Sequence, residues 1–366
     1  MNVVIVNCFD TYEHRVDLLY KVLTEQGNKV KVLTSNYRHI EKIKRTEKKK
    51  DFILFDALPY KKNMSPERLY SHYKLSKDIF SYVEKRINKI DLLWVLVPPN
   101  SFVKDAAKIK RNNPKLKLIF DLIDLWPETM PISRFKTVWP FSMWKNLRDD
   151  YLREADCIVT ECNLYRKKLK KVLEGKKTEV LYLAREKSDV KRVDNRPDDQ
   201  INLCYLGSIN NIIDIPEIAR ICKQLMEKKP VCLHIIGDGE KRNQLISAVE
   251  ETGAKVEYHG KIYDAQEKQD IFNQCHFGLN IMKDSVCVGL TMKSMDYFEA
   301  GLPIINNIHG DTWWFVDCCD IGINVSREKK VDIDYSTYKK IYGFYEQFFL
   351  MEHFEKKVML LISDYK

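Results

Sequence analysis

The sequence of 366 residues lacks any apolar run long enough to cross a membrane, and it lacks low-complexity tracts. It also lacks a Cys-x-x-Cys pair, although it has ten cysteines at irregular spacings. The missing pair argues against a zinc ribbon or a thioredoxin-like motif, and the cysteine usage favours a reducing, cytoplasmic compartment. The first residues, MNVVIVN, are typical of a β-strand and not of a signal peptide, because no basic segment precedes an apolar one.

A glycine-rich dinucleotide turn is also missing. The first predicted strand continues into NCFDTYEH without a GxGxxG turn, which argues against a nicotinamide-dependent dehydrogenase. The composition, with 45% apolar residues and aromatics along the whole chain, is that of a folded globular protein. Since single cores stop growing at roughly 250–300 residues, we expect two domains.

Short apolar runs alternate with longer amphipathic ones, which indicates α/β units with mainly parallel sheets. The first part of the chain contains predicted strands at 3–7, 30–34, 52–55, 92–97, 116–120, 157–160 and 179–183, with helices such as 65–88 and 144–155 between them. The segment 186–200 has almost no apolar residues and carries Pro197, so it is the predicted linker.

The same alternation restarts after the linker. Predicted strands lie near 202–206, 231–236, 255–258, 277–281, 303–306 and 321–325, and predicted helices near 214–228, 240–252, 265–274 and 293–300. The sequence therefore predicts an α/β protein with two Rossmann-like, doubly wound domains, 1–188 and 201–335, facing across a cleft at the carboxyl ends of their strands. Residues 340–366 have no strand to pair with, and we expect them to form a helix that packs back on the first domain.

Two turns in the second domain are candidates for binding phosphate groups. The YLGS turn follows a strand, where a small residue lets backbone N–H groups approach an anion closely. The GDG turn follows the strand LHII, and two basic residues open the next helix, where a bound anion would offset their repulsion by the helix dipole. An ordinary strand-to-helix connection is the alternative for each turn. The candidate residues are Gly207, Ser208, Gly237, Asp238, Gly239, Lys241 and Arg242.

A third candidate segment is GLTMKSMDYFEAGLPIIN, residues 289–306. Gly301 followed by Pro303 predicts a helix stop, which gives a short helix over 293–300. Lys293 and Asp296 lie three residues apart, hence on one face near the helix N-terminus. A lysine there can neutralise a diphosphate and a carboxylate can accept the hydroxyls of a ribose, although a surface Lys–Asp pair is the simpler alternative.

In order and spacing, YLGS, IIGDGEKRNQL, VEYHGKI and KSMDYFEAGLPII resemble the donor-binding half of GT-B fold glycosyltransferases. The resemblance is to the family 4-like enzymes of bacterial capsule, exopolysaccharide and O-antigen biosynthesis. It implies that Asp296 holds the ribose, that Lys293 matches the lysine of their SK-x-x-E variant, with Ser294 beside it as a further candidate, and that the stretch from Gly260 to Ile262 lies near the base. It also implies metal-independent transfer without a cofactor, from a nucleotide-sugar that is UDP- or dTDP-linked.

The sequence departs from that family in two places. Many members have an arginine and a lysine just after the YxG turn, whereas this chain has Ser208 there and Asn, Asn and Ile at 210–212. The first glutamate of the paired E-x7-E motif is replaced by Val288. Phosphate neutralisation is therefore expected from Lys241, Arg242 or Lys293.

The first domain offers candidate catalytic residues. FDLIDLWPETM, residues 120–130, resembles the DLWPE segment of such sugar-transferring enzymes and places Asp124 and Glu128 at the carboxyl end of a strand. Either carboxylate is a candidate general base for an acceptor hydroxyl, unless the Trp-Pro pair simply caps the sheet. His14, at the start of the first helix, is the third candidate, with a structural role as its alternative.

The charge and aromatic content suggest a membrane-surface role. The formal charge is +9, with basic runs at 42–50 and 165–177, and the stretch 126–144 holds three tryptophans among few charges. Basic runs are usually solvated faces, but together with exposed tryptophans they attract anionic lipid headgroups. We therefore expect the first domain to dock on the inner face of the cell membrane. The basic residues are not interleaved with aromatics as in a recognisable RNA- or DNA-binding module, so we expect no nucleic-acid partner.

These expectations converge on a glycosyltransferase that moves a sugar from a nucleotide-sugar to a glycan acceptor, lipid-linked or oligosaccharide, in cell-surface polysaccharide synthesis. Two alternatives from other classes stay open. The same double fold serves nucleotide-sugar 2-epimerases, and the missing basic pair and Val288 are compatible with a non-catalytic partner subunit of a glycan assembly complex.

Overall fold

The computed structural model describes residues 1–47, 49–63, 65–130, 138–327, 331 and 340–365. The chain divides into two compact units. The first unit comprises Met1–Ala184 and Met351–Lys366, and the second comprises Arg185–Leu350. Each unit holds a parallel sheet flanked by helices, so the predicted fold class, an α/β protein with two Rossmann-like domains, is confirmed.

The first unit is built on a seven-stranded sheet. Its strands are β1 (Asn2–Val6), β2 (Lys29–Ser35), β5 (Phe52–Phe55), β6 (Leu92–Val97), β7 (Lys117–Leu122), β8 (Cys157–Thr160) and β9 (Thr178–Val180), and a small hairpin of β3 (Tyr37–Arg38) and β4 (Ile43–Lys44) stands apart. The order is β5-β2-β1-β6-β7-β8-β9, with parallel pairing throughout. Its helices up to residue 184 are α1 (Glu13–Glu25), α2 (Pro66–Glu84), α3 (Asn100–Asn112), α4 (Phe141–Leu152) and α5 (Asn163–Lys168), with 3-10 turns at Asp10–Tyr12 and Ile87–Lys89.

The central strand β6, LLWVLV, is buried along its whole length, because helices cover both faces of the sheet. That is why it reads as a continuous apolar run and not as an alternating one. The helix α2 begins where the sequence supplies a cap, since the Ser65 hydroxyl accepts the N–H of Arg68 at 3.2 Å and Pro66 occupies the first turn.

The second unit has a six-stranded sheet. Its strands are β10 (Ile201–Leu206), β11 (Val231–Ile236), β12 (Lys255–Gly260), β13 (Phe277–Asn280), β14 (Ile304–Asn306) and β15 (Gly322–Asn324). The order is β12-β11-β10-β13-β14-β15, all parallel, so the chain switches direction between β10 and β13. Open α/β sheets bind ligands at the carboxyl ends of the strands beside such a switch point. The helices are α6 (Ile215–Met226), α7 (Arg242–Glu250), α8 (Ala265–Phe272), α9 (Met292–Ala300), α10 (Asp311–Cys319) and α11 (Ile341–Phe349).

The segment predicted as a linker, 186–200, lies against the second unit, whereas the predicted second domain began at 201. Its backbone N–H groups find partners there: Lys191 donates to the Gln266 side chain at 2.9 Å, and Val193 and Asn195 donate to the side chain and the carbonyl of Asn273 at 3.1 and 3.0 Å. The composition is too polar for a core element, but hydrogen bonds to residues at the two ends of α8 suffice to order this extended segment.

The C-terminal residues form two helices, one in each unit, and not the single returning helix that the sequence suggested for 340–366. Phe344 and Phe349 of α11 pack on Phe298 of α9 and Phe315 of α10 in the second unit. The last helix, α12 (Met351–Ser363), buries Phe354, Val358, Leu361 and Ile362 in the first unit, in the cluster that includes α1. The apolar residues of α11 thus pack within the second unit, and those of α12 pack within the first unit.

Of the helices in the described ranges, none has both the length and the apolar character that crossing a bilayer requires.

A buried ion pair joins α1 to β7 inside the first unit. The Arg15 guanidinium donates through Nε and Nη2 to the two carboxylate oxygens of Asp121 at 3.0 and 2.7 Å, and the two side chains are only 2% and 0% exposed. The Trp94 indole N–H also donates to Asp121 at 3.1 Å, and Arg15 donates to the Leu181 carbonyl at 2.6 Å. These four groups compensate one another in a site without water access.

Replacing Arg15 by methionine should therefore lower the free energy of unfolding by about 3–5 kcal/mol, because the Asp121 carboxylate would stay buried without its cation. Denaturant unfolding of the full chain measures the change. The control is Lys49→Met, which removes an exposed cation paired with Asp17 and should change the free energy by less than about 1 kcal/mol. Equal, small effects of the two substitutions would contradict this assignment.

Candidate functional site

Three turns meet at the carboxyl ends of β10, β11 and β12 in the second unit. The Gly207 N–H donates to the Ile236 carbonyl at 2.9 Å, and the Gly237 N–H donates to the Gly260 carbonyl at 2.6 Å. The backbone of Gly207, Gly237 and Gly260 has positive φ angles of 115°, 137° and 71°. Residues with a side chain rarely adopt these conformations, so glycine is required where the strands end.

The two glycines of the GDG turn also leave room for neighbouring main chain. A Cβ atom at Gly237 would lie 2.0 Å from the Gly207 carbonyl oxygen, and one at Gly239 would lie 2.3 Å from the Ile209 carbonyl oxygen. The turn after β10 and the turn after β11 therefore touch through their backbones. Between them, the Ile209 N–H donates to the Asp238 carbonyl at 3.0 Å.

The other predicted residues of these turns lie on the surface around the glycines. Ser208 is exposed, and its carbonyl accepts the Tyr205 hydroxyl at 2.9 Å. The Asp238 carboxylate accepts the Gly239 N–H at 2.8 Å and lies 3.5 Å from Arg242, which with Lys241 forms the start of α7. Ile262 is half-buried just after Gly260.

The helix α9 begins beside this edge of the sheet, and Gly301 ends it with a positive φ of 76°, as predicted. The Thr291 hydroxyl caps α9 by accepting the Ser294 N–H at 3.1 Å, and it donates to the Asn280 side chain at 2.9 Å. Asn280, Asn306 and Asn324, the last residues of β13, β14 and β15, form a ladder of side-chain hydrogen bonds of 2.8 and 2.7 Å. This ladder fixes the helix start on the sheet.

Ser294, a predicted site residue, belongs to the cap and is fully buried. Its hydroxyl lies 2.6 Å from the Thr291 hydroxyl. The Ser294 hydroxyl is thus engaged with the cap at the N-terminus of α9.

Lys293 directs its ammonium group toward the turn after β10. The Nζ atom lies 4.3 Å from the ring centroid of Tyr205, whose hydroxyl donates to the Ser208 carbonyl. The atom is buried, and no described residue accepts a hydrogen bond from it. Burial lowers the pKa of Lys293 to about 8. A buried cation without an acceptor is costly unless a ligand supplies one, so this ammonium group is the strongest sign of an anion site in the second unit.

Asp296 lies one turn further along α9 and is engaged by two cations. Its Oδ1 atom accepts from Arg185 Nη1 at 3.0 Å and from Lys268 Nζ at 3.1 Å, and Arg185 also contacts Glu299 at 3.0 Å. The simple surface Lys293–Asp296 pair considered above is not formed: each residue has other neighbours. A ribose would have to bind Asp296 beside these cations.

The three predicted catalytic residues all lie in the first unit and are all held by internal contacts. Burial raises the pKa of the Asp124 carboxyl above its usual range. However, four donors already fill its two oxygens: the Leu125 N–H at 2.8 Å, the Thr129 hydroxyl at 2.5 Å, the Trp126 indole at 2.7 Å and the Tyr12 hydroxyl at 3.4 Å. Proton abstraction by Asp124 requires breaking part of this set.

Glu128 and His14 are similarly engaged. The Glu128 carboxylate receives two parallel hydrogen bonds from the fully buried Arg148 guanidinium, at 2.8 and 2.9 Å. The His14 Nε2 atom lies 2.9 Å from the Ala184 carbonyl, so it carries the proton and donates it. Each side chain thus has a partner within the first unit, and a catalytic role for either one stays a prediction.

Sequence reasoning missed a cationic cluster in the first unit, which we call the Arg68 cluster: Arg68 and His72 of α2, Phe9, Tyr60 and Trp126. The Arg68 guanidinium lies 4.6 Å from the Trp126 ring centroid and less than 6 Å from the rings of Phe9 and Tyr60. Within the described ranges, Arg68 Nε and both His72 ring nitrogens are buried and accept or donate no hydrogen bond. Only the R-x-x-x-H spacing on one helix face could have signalled it.

The Arg68 cluster is electropositive. Burial, assisted by the charges of Arg68 and Lys42, lowers the pKa of the neighbouring His39 to about 4, and the pKa of His72 is also lowered by burial and Arg68. Both imidazoles are therefore neutral at physiological pH, while Arg68 keeps its charge.

The tryptophan-rich stretch 126–144 divides into buried and exposed parts, with 131–137 outside the described residues. Trp126 is buried in the core, whereas Trp139 is 75% exposed next to the exposed Val138 and Met143. Three cations of the basic run 42–50 form ion pairs within the first unit: Lys44 with Asp56, Arg45 with Glu13 and Lys49 with Asp17.

No protein-family model matches the chain, and no curated protein sequence matches it. Solved structures match all of it. The chain is similar to the sucrose-phosphate synthase of Thermosynechococcus elongatus (TM-score 0.66, 12% identity, 98% of that chain covered) and to Anabaena HepE in complex with UDP and glucose (0.63, 11%, 100%). It is also similar to the lipopolysaccharide outer core galactosyltransferase WaaB (0.67, 12%, 100%). These neighbours are GT-B glycosyltransferases, and at such identities the likeness establishes the fold.

Replacing Gly237 by alanine tests the contact between the turns. The added Cβ atom would meet a backbone oxygen at 2.0 Å and would hold a positive φ, so the GDG turn must move and the free energy of unfolding should fall by about 1–3 kcal/mol in denaturant unfolding. The matched control is Gly343→Ala in α11, where nothing lies within 4 Å of the new atom; it should stabilise the helix slightly. An unchanged free energy of unfolding in Gly237→Ala would contradict the contact between the two turns.

Proposed function

We propose that the protein is a glycosyltransferase that transfers a sugar from a nucleotide-sugar bound in the second unit to a glycan acceptor. The observation that carries the proposal is the buried ammonium group of Lys293, which lacks an acceptor among the described residues and lies beside the glycine turn at the end of β10. The switch point of the sheet lies at the same edge, between β10 and β13. The GT-B fold of the structural neighbours supports the same reaction class.

The diphosphate is the part of the donor that these features fit best. Glycine turns let main-chain N–H groups approach phosphate oxygens, and the N-terminus of α9 adds the positive end of its dipole. Lys293 supplies a full charge, and Arg242 and Lys241 supply two more at the start of α7. As the glycosidic bond breaks, negative charge grows on the departing diphosphate, and these groups stabilise it in place.

The donor in this proposal is a UDP- or dTDP-linked sugar. Asp296 accepts the ribose hydroxyls beside its hydrogen bonds from Arg185 and Lys268, and the stretch from Gly260 to Ile262 contacts the base. The HepE structure, which was solved with UDP and glucose, supports a uridine nucleotide as the first one to try. Neither a metal ion nor a cofactor has a role in this proposed transfer.

For the acceptor, we propose a lipid-linked glycan in cell-surface polysaccharide synthesis, used at the inner face of the cell membrane. Two features of the first unit support it. The Arg68 cluster offers a cation between aromatic rings whose Nε atom has no hydrogen-bond partner among the described residues, which suits a sugar bearing an anionic group. The exposed Trp139, with Val138 and Met143, suits the interfacial region of a bilayer.

Nucleotide binding tests the donor site. Lys293→Met should weaken both UDP and pyrophosphate binding by about 10–100-fold, since a hydrogen bond to a charged group contributes about 1.5–3 kcal/mol. Asp296→Ala should weaken UDP binding but not pyrophosphate binding, because only UDP has a ribose. Calorimetry measures all four affinities. The control is Lys223→Met, an exposed lysine of α6, which should bind both ligands like the wild type.

The pH dependence gives a second measure of the same lysine. Lys293 is charged below its pKa of about 8 and loses the charge above it, so the UDP affinity of the wild type should fall as the pH rises from 7 to 9. The Lys293→Met variant should lack this fall. Wild-type affinity in both Lys293→Met and Asp296→Ala would refute the donor site.

Flotation with liposomes containing anionic lipids tests the membrane part of the proposal. The full chain should float with the vesicles at low salt, and Trp139→Ala should float less, because an exposed indole favours the bilayer interface. Tyr263→Ala removes an equally prominent aromatic side chain, 89% exposed, from the second unit and should float like the wild type. A wild-type chain that stays unbound at low salt removes the membrane docking and leaves the nucleotide site untouched.

A further inference from the structure

A group of metal-ligating side chains lies on the edge of the second-unit sheet, outside the site described above. Cys232 and His234 lie on β11, and Glu257 and His259 lie on β12, the edge strand. We call these four residues the edge cluster. Ligand atoms of Cys232, His234 and Glu257 all lie within 4.8 Å of one another. Neither the proposed transfer nor the protein core requires this combination.

The strand geometry explains why these residues meet. Side chains two residues apart point to the same face of a strand, which brings Cys232 beside His234 and Glu257 beside His259. The parallel register places His234 opposite Glu257. A register shift follows between Ile235 and Ile236, and the extra residue that it leaves on β12 is His259. Such irregularities redirect a side chain toward a site.

Two distances within the edge cluster, both from His234 Nδ1, suit a tetrahedral metal ion. His234 Nδ1 lies 3.1 Å from His259 Nε2 and 3.5 Å from Glu257 Oε2. Two ligand atoms that each bind a tetrahedral zinc ion at about 2.0–2.1 Å are themselves about 3.3–3.4 Å apart. The other Glu257 oxygen, Oε1, accepts from Lys255 at 2.5 Å, which orients the carboxylate and leaves Oε2 toward the histidines.

The chemistry of the donor set selects the metal. A thiolate, two imidazoles and one carboxylate are ligands that zinc prefers, whereas magnesium and calcium prefer oxygen atoms alone. Cys232 and His234 are buried at 0% and 4% exposure, so an ion there would be shielded from water on one side. His234 Nε2 is buried, and within the described part of the chain it has no hydrogen-bond partner.

We propose that Cys232, His234, Glu257 and His259 bind one zinc ion, which fastens the edge strand β12 to β11. On binding, the Cys232 thiol loses its proton to solvent, a sulfur–zinc bond forms, and zinc-bound waters leave; no electron is transferred. The ion replaces the direct contact between the two imidazoles. Since Gly260 follows His259 and accepts the Gly237 N–H, the ion also fixes the end of β12 that supports the GDG turn.

Cobalt substitution tests the proposal directly. The full chain, stripped with a chelator, is titrated with Co²⁺ under reducing conditions and followed by absorption spectroscopy. We expect one Co²⁺ per chain, a thiolate-to-cobalt charge-transfer band in the near ultraviolet and the intense visible bands of a tetrahedral ion, all removed by one equivalent of Zn²⁺. Zn²⁺ alone should raise the melting temperature of the stripped protein.

Variants assign the ligands. Cys232→Ser should abolish the charge-transfer band, and His259→Gln and Glu257→Gln, at less buried positions, should weaken Co²⁺ binding at least ten-fold and remove the thermal shift by Zn²⁺. Cys318→Ser, which removes an exposed thiol, is the matched control and should behave like the wild type. If Cys232→Ser does not fold, the His259→Gln and Glu257→Gln variants, at partly exposed positions, still test whether the edge cluster binds the metal ion.

The proposal is wrong if the wild type shows no charge-transfer band, or if the band survives unchanged in both His259→Gln and Glu257→Gln. Loss of the band in Cys318→Ser would assign it to surface thiols and would also refute the edge cluster. Nucleotide binding by the chelator-stripped protein is a separate measurement, so the failure of this proposal and that of the transferase proposal remain distinguishable.

Discussion

The contact between two backbone turns constrains the whole second unit. The carbonyl of Gly207 occupies the space that a side chain at Gly237 would need. In the same way, the carbonyl of Ile209 occupies the space that a side chain at Gly239 would need. Because these turns touch, the ends of β10 and β11 present their main-chain groups at one place, beside the switch point of the sheet. The start of α9 is held at the sheet by side-chain hydrogen bonds: the asparagine ladder of β13, β14 and β15 and the Thr291 cap that contacts it.

Lys293 places a buried ammonium group beside the turn after β10. Its ammonium group lies over the Tyr205 ring, and the ring face offers this group a partial substitute for water. The substitute is incomplete, which is why burial lowers the lysine pKa. Asp296, only one turn away, has its charge balanced by Arg185 and Lys268 instead. Among the described residues, Lys293 thus has no hydrogen-bond acceptor for its ammonium group, whereas Asp296, on the same short helix, has two cationic partners.

The sequence allowed most strands and the helix α9 to be predicted, because buried parallel strands are continuous apolar runs and Gly301 with Pro303 ends a helix unambiguously. It did not reveal α10, whose aromatic sequence lacks both an N-cap side chain and a polar face. The Arg15–Asp121 pair spans 106 residues, and the donors around Asp124 come from its own turn and from Tyr12 in the 3-10 turn before α1. Such long-range contacts depend on the assembled fold. The edge cluster was missed because Cys-x-His and Glu-x-His pairs signify a site only when two particular strands are neighbours.

The division of the C-terminal tail makes the second unit an insertion. Its two ends lie side by side, since the Arg185 N–H donates to the Phe349 carbonyl at 2.9 Å and Arg185 pairs with Leu350. A segment with adjacent ends can be excised, permuted or replaced without unravelling its surroundings. The first unit, by contrast, is discontinuous in sequence. Its first 184 residues are synthesised long before α12, which covers the apolar side of α1. The second unit is therefore synthesised completely before the sequence of the first unit is complete.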